Sequence, residues 1–194
     1  MNKLLMQHRT ELARALRNHH VERADNGLYF PKQGLFVGGV FRTWVNGKDE
    51  QVDPNVMMLA GLTDILAVYF DQAAARTAFF IAPFSNNVTP TNDLTNLTIV
   101  STLGEFVHYS EANRQSWAKD DAAAQAISNH TTPATFTADA TAGTVWGAWL
   151  TTSATKSSTS SQLPVCATKF AGARVLQEND QLSIEYTITA ADGS

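Results

Sequence analysis

The side chains with most capacity for chemistry in this chain are five histidines, one cysteine, one pair of adjacent aspartates and four tryptophans. His8, His19 and His20 could chelate a metal if they converged. On a helix, however, neighbours such as His19 and His20 point about 100° apart, and His8 lies about three turns away. A solvated or interface face follows, and His108 and His130 lack companions at metal-ligand spacing. Asp120-Asp121, beside Trp117, could supply the acid and base of a glycosidase, but adjacent loop aspartates are ordinarily just hydrated. No phosphate-cradling glycine loop, nucleophile elbow or His-Glu-Xaa-Xaa-His pattern occurs. Neither a catalytic set nor a cofactor or metal site can be assembled on paper, so the expectation is a protein that is not an enzyme. Trp44, Trp117, Trp146 and Trp149, with Tyr29 and Tyr109, could form a sugar-stacking platform. Trp146 and Trp149 are an odd number apart, so a regular strand would bury one and leave the other for a surface. The candidate recognition residues are Asn87, Thr89, Trp117 and Trp149.

Composition narrows the class. A chain of 194 residues with 44% hydrophobic content holds one good core, with room for an arm. The net charge of −4 and pI near 5.7 argue against a nucleic-acid binder, whose phosphate affinity needs clustered Lys and Arg. Charge is unevenly placed: residues 26–194 hold nine basic and fifteen acidic side chains, whereas residues 1–25 hold five basic and three acidic. Cys166 is the single cysteine, which rules out an intrachain disulfide. Its neighbours Leu163-Pro164-Val165 and Ala167 suit a small buried hydrophobe. Gln7, His8, Arg9 and Glu11 interrupt any leader-like apolar run, and no run reaches a membrane span, so no membrane partner is expected.

The elements that must position these residues are mostly strands. Residues 2–24 read as a helix that stops at Asn26-Gly27, with a thin apolar stripe of Leu5, Leu12 and Leu16 flanked by Arg9, Arg14 and Arg17. Such a stripe suits docking, so residues 1–26 are expected to be a helical arm and 27–194 the body. Runs 28–30 and 34–45 are β-prone, and Asn46-Gly47 is a strong turn signal. Asp53 as N-cap and Pro54 at the first position predict a helix over about 54–70, with Met58, Leu59, Leu62, Leu66 and Tyr69 at spacings of three and four. Segments 78–82, 97–103, 124–129, 134–138, 144–151 and 163–170 read as strand material, and 152–161 as an exposed Ser/Thr loop. In 181–190, Leu182, Ile184, Tyr186 and Ile188 alternate with polar residues, as a half-buried strand requires. The sum is a mostly β protein, a β-sandwich of jelly-roll-like or immunoglobulin-like kind, with one packed helix and the N-terminal arm.

The order of segments adds a resemblance. Asp53-Pro54-Asn55 leads into Ala60-Gly61-Leu62-Thr63-Asp64-Ile65-Leu66, followed by stretches at 84–91, 104–117, 134–158 and 173–190. This series resembles a family of small structural proteins of tailed bacteriophages, especially short-tailed ones. Asn87, Thr89 and Pro90 match its loop. Tyr109, Glu111, Ala112 and Arg114 match a second motif, and Gly147, Ala148, Trp149, Leu150, Thr151 and Ser153 a third. The resemblance covers about residues 53–190 and implies a virion component, assembled in the host bacterial cytoplasm in several copies. The favoured expectation is a place in the neck or tail, where the chain would join other virion proteins such as fibres. Capsid decoration or a head-fibre role, and a carbohydrate-binding adsorption module, are the alternatives. The partner-docking candidates are Leu5, Arg9, Leu12, Arg14, Leu16 and Arg17.

Overall fold

The computed structural model describes residues 21–23, 29–31, 35–160 and 162–192. By internal contacts the chain falls into a small unit, Met1–Val37 with Ala190–Ser194, and a large one, Gly38–Thr189. In the small unit, Val21–Arg23 (β1) pairs antiparallel with Tyr29–Pro31 (β2), Glu22 standing opposite Phe30. Residues 21–23 were expected to close the N-terminal helix and are instead a strand. In sequence, Asn26-Gly27 falls between the two strands, outside the described residues. The rest of the expected helix, with Leu5, Arg9, Leu12, Arg14, Leu16 and Arg17, lies outside the described residues.

The large unit is the β-sandwich. The elements that lie wholly or mostly in it run Leu35–Val45 (β3), Lys48–Pro54 (β4), Val56–Met57 (β5), helix Leu59–Phe70 (α1), Phe80–Phe84 (β6), helix Ile99–Leu103 (α2), Gln115–Ser116 (β7), Ala126–Ser128 (β8), Ala134–Thr137 (β9), Gly143–Thr151 (β10), Pro164–Leu176 (β11) and Gln181–Asp192 (β12). One sheet has the order β5-β11-β10-β6-β7, the other β4-β3-β12-β8 with β9 also on β12. All their recorded pairings are antiparallel.

Local chemistry accounts for the joints. Asn46 and Gly47 both take positive φ, 51° and 72°, the pair of left-handed conformations that turns a two-residue hairpin with the twist of its strands. The Asn46 amide then donates to Asp180 at 2.7 Å and its carbonyl accepts from the Gln181 N–H at 2.9 Å, tying this hairpin tip to the β11–β12 turn. In β12, Leu182, Ile184 and Tyr186 are fully buried, as the alternation required. Tyr186 is where the two sheets meet. Its ring stacks on Phe41 at 4.2 Å, its hydroxyl accepts from Asn55 and contacts Cys166, and its carbonyl accepts the Trp117 indole N–H at 2.9 Å. Burial pushes the phenol of Tyr186 upward and the Cys166 thiol up to about 12, so Cys166 behaves as the small hydrophobe expected.

Two expected elements are corrected. The helix does not begin at Asp53-Pro54: both residues end β4, opposite Phe41 and Val40, and α1 starts at Leu59 behind Met58. The local capping signal loses to a tertiary demand. β11 shifts register against β10 between Lys169 and Arg174, and Asp53 accepts the Ala171 N–H at 2.8 Å while Gln51 accepts that of Gly172 at 3.2 Å. A bulge leaves backbone donors without ladder partners, and β4 side chains supply them. The second correction concerns 97–103, expected as a strand. Ile99 and Leu103 are four apart and both fully buried, which a single helical turn achieves, and the segment forms α2. It covers a core of Met58, Ala82, Phe84, Leu94 and Trp149 on one face of β10.

Candidate functional site

The motif residues Arg114, Trp149, Thr151 and Ser153 come together at one place, and what they build with Glu105 and Gln162 is a buried clamp. The Arg114 guanidinium meets the Glu105 carboxylate through two bonds, Nε to Oε1 at 2.8 Å and Nη2 to Oε2 at 2.7 Å, with both side chains essentially inaccessible. Its Nη1 donates to the Ser153 carbonyl at 3.1 Å and to Gln162 Oε1 at 3.0 Å, and its plane lies 5.5 Å from the Trp149 ring. Glu105 also accepts the Ser157 N–H at 2.7 Å, Thr151 donates to Gln162, and Gln162 donates to the Asn96 carbonyl. Alongside, Glu111 accepts the Thr137 N–H, and the Lys156 ammonium donates to the carbonyls of Val107 and Tyr109 while sitting 3.5 Å from the Tyr109 ring. Burial pulls the Lys156 ammonium below its ordinary value, against the raising pull of Glu111, Asp139 and Glu105, and pushes the Tyr109 phenol up. A bidentate pair with four of the five guanidinium donors bonded can be carried in the interior. The Ser/Thr segment 152–161 is therefore more than an exposed loop: Ser153 and Gln162 are buried, and the clamp pins the segment to the body.

The candidate recognition residues separate. Asn87 and Thr89 are exposed on the loop between β6 and α2. Trp117 and Trp149 are 4% and 0% exposed, so neither presents a face to solvent. Trp149 stays inside because its face of β10 is covered by α2 and Leu94, a layer that strand alternation cannot reveal. Trp146, on the same strand, is half-buried beneath the Lys169 ammonium, 5.6 Å from its ring. Trp44 instead lines a shallow polar groove of about 300 Å³ with Arg42, Glu50, His130 and Glu185. There His130 Nδ1 lies 3.0 Å from Glu185, and Arg42 stands 3.4 Å from Glu50. Asp120 is bonded within its own loop region. It accepts the Thr131 N–H at 3.1 Å, and its bonds to Thr131 hold its carboxyl below the usual aspartate value. Among the described residues, no three His, Cys, Asp or Glu side chains gather as a metal-binding group.

The feature least visible in the sequence is the outer face of α1. Gly61 packs so closely on β11 that a Cβ there would lie 2.5 Å from the Val165 carbonyl oxygen. That contact turns Gly61 inward and Leu59, Leu66, Tyr69 and Phe70 outward, at 53, 57, 80 and 73% exposure. Asp64, the one charged residue of the helix, is held by Arg76, whose Nε donates to it at 3.0 Å. Beneath the helix runs an almost wholly apolar cleft of about 240 Å³, walled by Gly61, Ile65, Phe79, Trp117, Leu150 and Ile188 among others. Among the described residues, no helix is long and apolar enough to cross a membrane. Among the described residues, this helix face is therefore apolar and exposed. No family model matches this chain, and neither a curated protein nor a solved structure matches it significantly.

Proposed function

We propose that this chain is a structural component of a tailed-bacteriophage particle, working by contact with other virion subunits in the neck or tail region. The observation that carries the reading is the outward apolar face of α1, on a body where Glu111, Arg114, Thr151 and Ser153 are committed to internal bonds. Arg114, Thr151 and Ser153 contribute to the Glu105 clamp, and Glu111 braces the adjacent loop, so these residues serve a scaffold. The glycan-binding alternative drew on Trp117 and Trp149 and loses both to burial. The test is to count this chain in purified particles by quantitative mass spectrometry. A small fixed number, about six or twelve, fits a ring on the tail axis. Hundreds of copies would move it to the shell as a decoration protein, and its absence from particles would overturn the reading. Deleting residues 1–25 checks the arm: reduced occupancy is expected, and full occupancy would remove the N-terminal segment as an anchor.

A further inference from the structure

We infer that the outer face of α1 is a self-association seam, which pairs with the same helix of a second copy of this chain. The inference rests on the particle reading above only for its biological setting, since the geometry concerns the isolated chain. Leu59, Leu62, Leu66 and Tyr69 fall at spacings of three, four and three, the pattern by which one helix seats its side chains between those of another. In most single-domain folds that stripe would face the body. Here Gly61 takes the inward position, and Leu59, Leu66 and Tyr69 look out with Leu62 part-buried between them. Exposed parts of Leu59, Leu66, Tyr69 and Phe70 sum to about 550 Å² at ordinary side-chain areas, roughly two-thirds of the ~800 Å² that each partner gives to a stable interface. Phe70 edges against Tyr69 with ring centres 5.0 Å apart, which forms one broad apolar end to the seam.

Charge favours a second copy as the occupant. Asp64 is the sole ionisable group in Leu59–Phe70 apart from the Tyr69 phenol, and its carboxylate is turned to Arg76 with 13% exposure. Two identical seams therefore meet without opposing like charges, a condition that a symmetric contact must satisfy because each residue type faces its own surface patch.

The experiment is sedimentation of the full chain between about 1 and about 100 µM, where a contact of this size should become populated. The expected result is a mass that rises with concentration from 21.1 kDa towards twice that value. The double variant Leu66→Glu, Tyr69→Glu should stay monomeric across the range with an unchanged circular dichroism spectrum, while Val175→Glu, at an exposed apolar site off the helix, should pair as the parent does. As a check independent of that variant's folding, Leu66→Cys should form an intermolecular disulfide on mild oxidation, with Cys166 buried and silent. A chain that is monomeric throughout and gives no disulfide overturns the inference, as does a folded double variant that still pairs. If the monomeric chain also needs Leu66 and Tyr69 to enter particles, the seam belongs to a different virion protein, and self-pairing is wrong while the particle reading stands.

Discussion

Charge goes inward at the loops 105–114 and 152–162, whereas hydrocarbon goes outward at α1. Arg114 and Glu105 are buried as a bidentate pair with further bonds to Ser153, Gln162 and Ser157, so the desolvation of both ions is offset within the fold. Leu66, Tyr69 and Phe70 have no such internal compensation. The difference teaches where completeness lies in this molecule: the polar region is finished within one chain, and the apolar one is left exposed on it.

The comparison breaks most readily at the clamp. Arg114→Met leaves the Glu105 carboxylate buried without its cation and should lower unfolding free energy by about 3–5 kcal/mol, read from the urea midpoint. Arg114→Lys should recover little of that, because a lysine cannot make the two-pronged contact. A loss under about 1 kcal/mol would show the pair to be incidental. Leucines sharpen the contrast next. Leu103→Ala, at a fully buried site in α2, should cost about 2–5 kcal/mol. Leu66→Ala, 57% exposed, should stay within about 0.5 kcal/mol in the dilute monomer. Equal losses at the two positions would mean that α1 packs inward after all.

Smaller effects concern the joints. Asp53→Ala strips the Ala171 N–H of its acceptor and should cost about 1–3 kcal/mol by the same denaturation assay. Weakest is a pH effect. Asp120 is held low by its bonds to Thr131, and Asp180 by the Gln177 N–H and the Asn46 amide. Lowered carboxyl values give stability that is present above the ordinary value of 3.8 and fades as pH falls through the folded-state value. Acid titration of Asp120→Asn with Asp180→Asn should therefore show a shallower fall in stability below about pH 4. An unchanged slope would remove these aspartates from the account.

Much of the sandwich was legible in the sequence because its signals are local. Alternation in 181–190 set the buried face of β12, and Asn46-Gly47 set a hairpin, since each depends on residues a few positions apart. Asp53-Pro54 misled because a helix cap and a strand end with a buried carboxylate look alike until the β11 bulge is in view. The strand expected at 97–103 failed similarly: β-branched composition suggested extension, while the spacing of Ile99 and Leu103 answered to the shape of the core over Trp149. For the candidate site, the three-four spacing of α1 was plain, but its direction was not. Only Gly61 against Val165 decides which side of that helix is covered. The clamp was the reverse case, in which Glu105 and Gln162 gave no signal of their own and Arg114 stood only within a motif.

Hydroxyl-radical footprinting of α1, in the free chain at low concentration and again in purified particles, tests the central claim most directly. Tyr69 and Phe70 should label strongly when free and be protected in the particle, while exposed His108, distant in sequence from the helix, serves as the internal reference. Equal labelling of Tyr69 and Phe70 in the two states would contradict the claim that this face is where the protein meets its neighbours.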